Sequence, residues 1–191
     1  MKKIVVYILA AAGALGVGFM LLNAYIYQEK QGEGGPQDGL VNYENTEYGF
    51  SLRHPDSYVA LAPEGEGGAV SFYIQEDWED FLNSPPGREG PPGVTVETFA
   101  NPESLPVVEW AALDSRSNLA LGPGDYVEVE VNGMRGIAYG WSGLYEGLSV
   151  ALADEERIYM LSVTYLSLQD RIVEDFPVFL EFFEAWPPSQ T

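Results

Sequence analysis

The chain has 191 residues, 46% hydrophobic and 13% aromatic, which is enough for one core of ordinary domain size. Its 29 acidic and 9 basic residues give a net charge of −20, which opposes binding to nucleic acid and to anionic lipid headgroups; the expected role of the charge is solubility, as also in high-salt adaptation, ahead of a specific basic partner. There is no cysteine and one histidine, so disulfides and thiolate metal sites are excluded and a zinc centre is not expected.

Met1, Lys2 and Lys3 precede residues 4–27, a run of 24 without a charged side chain. A helix of that length crosses a hydrocarbon core of ~30 Å, and the leading lysines predict that the N-terminus stays inside. Residues 1–27 are therefore expected to be a signal anchor, a transmembrane helix holding the rest of the chain outside the cytoplasm in a single pass of the cell membrane. A cleaved signal peptide is the rival, with a shorter apolar region and a small-x-small cleavage site; Leu22-Asn23-Ala24 is a poor match to one. Residues 28–42 contain Gly32, Gly34, Gly35, Pro36 and Gly39 and are expected to be a flexible linker. The extracytoplasmic domain is expected over 43–188.

Within that domain, Phe50 and Leu52 alternate with Ser51 and Arg53 as in a strand that Pro55 ends. Residues 57–62 and 69–75 continue as strands, the latter with Val70, Phe72 and Ile74 on one face. Residues 76–83 suit a short helix with Trp78, Phe81 and Leu82 along one apolar edge. Residues 84–93, rich in proline and glycine, have no core-forming side chain and predict an exposed, loosely held loop. A strand follows over 94–99. Ser104 is the expected N-cap of a helix whose stripe is Leu105, Val108, Ala111 and Ala112, with Trp110 beside it and Pro106 in the first turn. Residues 118–124 are expected to be loop.

The clearest pattern lies over 125–165. Val127, Val129 and Val131 alternate with Tyr126, Glu128 and Glu130. Asn132-Gly133 then signals a type I′ hairpin into a strand over 134–141. Two further strands, 144–153 and 157–165, follow turns at Ser142-Gly143 and at Asp154-Glu155-Glu156. Rows of Gly, Ala and Ser on these strands allow close approach, and neither face is cleanly polar, so cover on both faces is expected, at least in part. The last element is expected to be a helix ending near Trp186, with Pro177 in its first turn and Phe179, Phe182, Phe183 and Trp186 docked on the sheet.

Few constellations point to chemistry. His54 sits between Arg53 and Pro55, where a structural role is expected rather than a catalytic triad. Acidic runs at 76–80 and 154–156 lack the spaced loop of a calcium site, and with 29 acidic residues a carboxylate pair arises by chance. No catalytic residue, metal ligand or cofactor is expected. The candidate partner-binding residues are Trp141 and Tyr145, which frame a hairpin tip, together with Trp78 and Phe81; the alternative is that such rings only cap the core.

Several segments occur in the order found in the PsbP-like family. Tyr48-Gly49-Phe50-Ser51-Leu52-Arg53-His54-Pro55 resembles the family's opening strand, with His54 where an aromatic usually stands. Residues 105–111 resemble its first helix, 129–136 its Asn-Gly hairpin, 158–163 its Tyr-x-Leu-Ser-Val strand and 179–186 its closing aromatic helix. The resemblance spans about residues 43–186. It implies an α+β fold, an α/β/α sandwich around a central antiparallel sheet, with accessory or binding roles and no catalytic motif. The chain is thus expected to be a membrane-tethered extracytoplasmic binding or accessory domain with an unknown protein partner, basic if charged, and no nucleic-acid partner. The alternatives are a small hydrolase using paired carboxylates and a structural envelope protein.

Overall fold

The computed structural model describes residues 39–62 and 68–186. The expected transmembrane helix at 1–27 and most of the expected linker lie outside those residues. Among the described residues, no helix is long and apolar enough to cross a membrane.

The chain opens with β1 (Leu40–Asn45), β2 (Phe50–Pro55), β3 (Tyr58–Leu61) and β4 (Ala69–Ile74). β1 takes in Leu40, Val41 and Asn42 from the end of the segment expected as linker. Helix α1 (Gln75–Leu82) is followed by β5 (Val94–Ala100) and α2 (Val107–Leu113). Four consecutive strands come next, β6 (Val127–Val131), β7 (Met134–Ser142), β8 (Glu146–Ala153) and β9 (Arg157–Tyr165). Helix α3 (Arg171–Glu181) and the two-residue β10 (Glu184–Ala185) close the domain. β3 to β9 form one antiparallel sheet in the order β3-β4-β5-β9-β8-β7-β6, and β1-β2-β10 form a smaller one.

The four central strands arise where alternation and turn chemistry agree. Asn132 has φ 50° and Gly133 φ 88°, the two left-handed residues of a type I′ turn, whose twist matches that of the strands it joins. The turn has a second role. The Asn132 side-chain amide donates to the carbonyls of Glu181 at 2.9 Å and Phe183 at 2.7 Å. It thereby satisfies backbone acceptors that the end of α3 leaves open.

One face of the large sheet carries the main core. Val70, Phe72, Val96, Val150, Leu161 and Val163 pack there with Phe50 and Leu52 of β2 and with Ile172, Phe176, Phe179 and Leu180 of α3. Those four helix residues fall at i, i+4, i+7 and i+8, one continuous stripe, and this corrects the expectation for Pro177. Pro177 lies inside α3, not in its first turn. A mid-helix proline costs ~3 kcal/mol, and burying four large apolar side chains at ~1.5–3 kcal/mol each outweighs it. The helix also ends earlier than expected, at Glu181, and the chain turns into β10 beside Phe50 and Ser51. Phe179 and Phe183 are buried as expected, whereas Phe182 and Trp186 stay half-exposed, with Arg53 over the Phe182 ring.

His54 is buried in this core. Its ring stacks on Phe179 (6.2 Å, 14°), lies 5.0 Å from Phe72, and its Nδ1 is 2.8 Å from the Pro55 carbonyl. It occupies the place of an aromatic ring. Burial holds the imidazole below its ordinary pKa of 6.5. The unfolded chain therefore takes up the proton more readily, so the contribution of His54 is complete above about pH 6.5 and is lost as pH falls through the depressed folded value. Replacing His54→Phe should flatten the loss of stability in urea melts below about pH 6.5. A variant that loses stability over that range as steeply as the parent would contradict this account of the core.

The opposite face carries a smaller cluster of Phe99, Trp110, Ala111, Ile137, Tyr139, Ala151, Ile158 and Met160. Here two expectations are corrected. Ser104 is not the N-cap: it has φ 50°, its hydroxyl donates to the Glu155 carbonyl, and α2 starts after Pro106. Asn101, whose amide brackets Leu105 through both its N–H and C=O, fixes the approach to the helix instead. Trp110 with Ala111 forms the buried edge of α2, and Ala112 is exposed, because only one face of this short helix meets β7 and β8. Ser115–Ser117 and Leu119–Leu121 are short 3₁₀ turns, the second lying inside the segment expected to be loop, with Ser117 and Leu119 buried. Cover on this face is partial: Val59, Leu61, Ala69, Ser71, Tyr73, Thr95 and Glu97 of β3, β4 and β5 remain half-exposed.

Candidate functional site

The register of the large sheet fixes what meets at its end. Phe72 pairs with Val94, Val94 with Val163, Val163 with Leu148 and Leu148 with Gly140. The next row on the partly covered face contains Thr164, Gly147 and Trp141 in register, and it is extended by Gly93 and Tyr73. Gly93 donates its N–H to Thr164 Oγ1 at 2.9 Å and accepts the Thr164 N–H at 2.9 Å. A Cβ at Gly93 would sit 2.8 Å from the Tyr73 ring, and one at Gly147 would sit 2.2 Å from the Trp141 ring. Both aromatic rings therefore lie down over glycines, leaning toward Thr164 from opposite sides.

A second row of hydroxyls runs beside the first. Ser71, Thr95, Ser162, Ser149 and Tyr139 face one another across five strands. Ser71 and Thr95 share a hydrogen bond of 3.1 Å, Ser149 and Ser162 one of 2.7 Å, and the Trp141 indole N–H donates to Ser149 at 2.9 Å. These partners satisfy the hydroxyls that sheet burial would otherwise leave unpaired.

The structure brings the four sequence-derived aromatic residues to this one end of the sheet, as two pairs. Trp78 stacks on Tyr73 (4.8 Å, 21°) and lies 5.3 Å from Phe81, so that pair is in contact. Trp141 and Tyr145 belong to the β7–β8 hairpin on the far side of β9. Tyr145 donates its hydroxyl to the Gly90 carbonyl. That bond, with the Gly93–Thr164 pair, pins the proline-glycine loop expected to be loosely held. The loop is exposed over most of its length. Sequence inspection missed Tyr73, Gly93 and Thr164, whose association depends on strand order rather than on local pattern.

Large apolar side chains are exposed at the same end: Leu82 after α1 (64%), Leu144 in the β7–β8 turn (68%) and Leu166 after β9 (71%). The first described residue is there too. Gly39 accepts the Asp56 N–H at 2.8 Å, and Ser57 accepts that of Gln75, the first residue of α1, at 2.8 Å. The opposite end carries the turns with Glu103, Asp154, Glu155 and Glu156, all exposed and acidic.

Electrostatics on the partly covered face centre on Glu97. Burial raises its carboxyl above the usual range, with the Arg116 guanidinium opposing and Asp114 adding to the effect. Arg116 holds Asp114 low through paired side-chain hydrogen bonds and stacks over Phe99 at 4.7 Å. Among the described residues, no group of three or more His, Asp or Glu is placed to hold a metal ion.

A seven-stranded antiparallel sheet with a helix and small sheet on one face and a short helix on part of the other is similar to several solved structures. Cyanobacterial PsbP (CyanoP) from Synechocystis sp. PCC 6803 aligns with a TM-score of 0.54, covering 82% of this chain and 99% of that one at 12% identity. The fold is PsbP-like. A second structure, from Bacteroides thetaiotaomicron, aligns at 10% identity with a TM-score of 0.49, over 78% of this chain and 49% of that one. No protein-family model matches the sequence, and no curated protein does. The PsbP-like fold accounts for the order of the resembling segments noted above: opening strand, first helix, Asn-Gly hairpin, core strand and closing helix occupy β2, α2, β6–β7, β9 and α3 with β10.

Proposed function

We propose that this chain is a membrane-tethered, extracytoplasmic binding or accessory domain that engages a protein partner and performs no catalysis. The observation that carries the reading is the apolar end of the sheet. Exposed Leu82, Leu144 and Leu166 gather there with half-buried Trp78, Phe81, Trp141 and Tyr145. Aromatic residues ringed by exposed aliphatic ones are the composition of a partner-binding patch. The same end receives the chain from residues 1–38, whose first part has the length and charge pattern of a single membrane span. A Gly-rich linker of this size has a root-mean-square reach of about 20 Å, so the patch lies close to the membrane and a membrane protein is the natural partner. The acidic surface favours a partner with basic groups nearby.

The runner-up, a hydrolase with paired carboxylates, draws on Glu97 and Asp114, whose environments push their pKa values apart. Against it, both oxygens of Asp114 are engaged by Arg116, so this carboxylate is not free to act as the base.

The test is a pair of surface changes, Leu82→Asp and Leu144→Asp, in the full chain expressed in its own membranes. Both side chains are exposed, so each change should alter stability by no more than about 0.5 kcal/mol. Recovery of the partner on affinity capture should fall by at least tenfold, as expected for an interface centre worth about 2 kcal/mol. Undiminished recovery of the same partner would refute the assignment.

A further inference from the structure

The large sheet ends in β3 on one side and in β6 on the other. β6 pairs only with β7 and has no neighbour on its other side among the described residues. Val131 and Met134 flank the two-residue turn and form its closing pair, so alternate residues, Glu128 and Glu130, direct their backbone N–H and C=O groups away from β7. Their carboxylates point to the face that carries α2, where a cavity of about 310 Å³ opens beside them. Its walls are apolar, from Val107, Val108 and Ile137, and its rim is charged, from Glu128, Glu130 and Arg135. Arg135 stands opposite Glu130 in register, yet none of the three forms an ion pair with a described residue. The other side of the same strand presents Val127, Val129 and Val131.

We propose that β6 binds an extended basic peptide segment of a partner protein, adding it to the sheet as an eighth strand. The backbone of Glu128 and Glu130 supplies the ladder hydrogen bonds. A strand laid there places alternate side chains on opposite faces. On the α2 face, lysine or arginine side chains sit across from Glu128 and Glu130 at cross-strand distance, and one aliphatic stem lies in the cavity against Val107, Val108 and Ile137 with its cationic head at the rim. On the other face, apolar side chains continue the valine row. The recognised pattern is therefore basic-apolar-basic with a period of two. The inference rests on the binding-domain reading but not on the apolar sheet end, and it gives the acidic charge of the chain a specific partner chemistry.

The full-length protein in neutral-lipid nanodiscs is titrated with a capped heptapeptide of alternating valine and lysine, and with the same peptide carrying glutamate for lysine. Binding is followed by fluorescence anisotropy and by hydrogen exchange at the amides of Glu128 and Glu130. The lysine peptide should bind and slow exchange at those two amides, and the glutamate peptide should not bind. The double variant Glu128→Gln and Glu130→Gln should bind at least tenfold more weakly, the loss of a charge-assisted contact, and added salt should weaken the parent complex too. Equal binding of both peptides, binding unchanged by the double variant, no binding, or slow exchange at both amides before any peptide is added would overturn the proposal; the last would mean that the chain's own remaining segments occupy the edge. If the peptide fails while capture through Leu82 and Leu144 persists, only the edge site falls; if both fail, the binding-domain reading falls with it.

Discussion

Replacing Phe179→Ala should destabilise the domain by about 3–5 kcal/mol, the cost of emptying a large aromatic site that cannot collapse. Phe179 is fully buried where three layers meet. Its ring contacts Phe72 of the large sheet edge-on at 5.3 Å, Tyr58 at 5.4 Å and His54 of the small sheet at 6.2 Å. Its own helix, α3, is further tied to β3 by the hydrogen bond from the Tyr58 hydroxyl to Asp175 at 3.0 Å. Removing the ring therefore takes away contacts of the helix with both sheets at once. With typical stabilities of about 5–15 kcal/mol, much of the total is at risk. In urea unfolding of the full chain, the midpoint should drop by about 2 M at an unchanged slope. A drop below about 0.5 M would mean that α3 is not the central bolt of the fold.

The second large effect is expected at Gly136→Ala, by about 3 kcal/mol, the upper part of the range for overpacking a tight interior. An added Cβ would lie 2.1 Å from the Ala151 carbonyl oxygen and 2.8 Å from Leu152 Cδ2. The first of these is backbone, so β7 and β8 would have to separate where Gly136 pairs with Leu152. Gly90 provides the control: an added Cβ there meets nothing within 4 Å, and Gly90→Ala should change stability by no more than about 0.5 kcal/mol. Equal melting temperatures for the two variants would show that the central strands are less tightly joined than their register implies.

What the sequence disclosed and what it hid follow from the range of the forces involved. The strand at Arg157–Tyr165 and the hairpin at Asn132-Gly133 were legible because alternation and turn chemistry act within a few residues. Pro177 misled because helix propensity is a local quantity, while the stripe Ile172, Phe176, Phe179 and Leu180 is stabilised by a core assembled from distant strands. Ser104 misled for a related reason: its hydroxyl is claimed by Glu155, fifty-one positions away, across the β8–β9 turn. The four aromatic candidates were visible as residue types. Their gathering at one end was not, because it depends on β5 inserting beside β9 and so placing Gly93 and Tyr73 next to Thr164. The cavity beside β6 was invisible for the same reason, since its apolar wall comes from Val107 and Val108 on α2.

Site-specific photocrosslinking in native membranes tests the functional account most directly. A photoreactive side chain is placed at Leu144, in the apolar end, and in a second protein at Glu155, in the acidic turn of the opposite end. The account predicts that light joins the Leu144 probe to one membrane protein and leaves the Glu155 probe without that adduct. Adducts of the same protein in equal yield from both ends, or none from Leu144 in membranes where the partner is present, would contradict it.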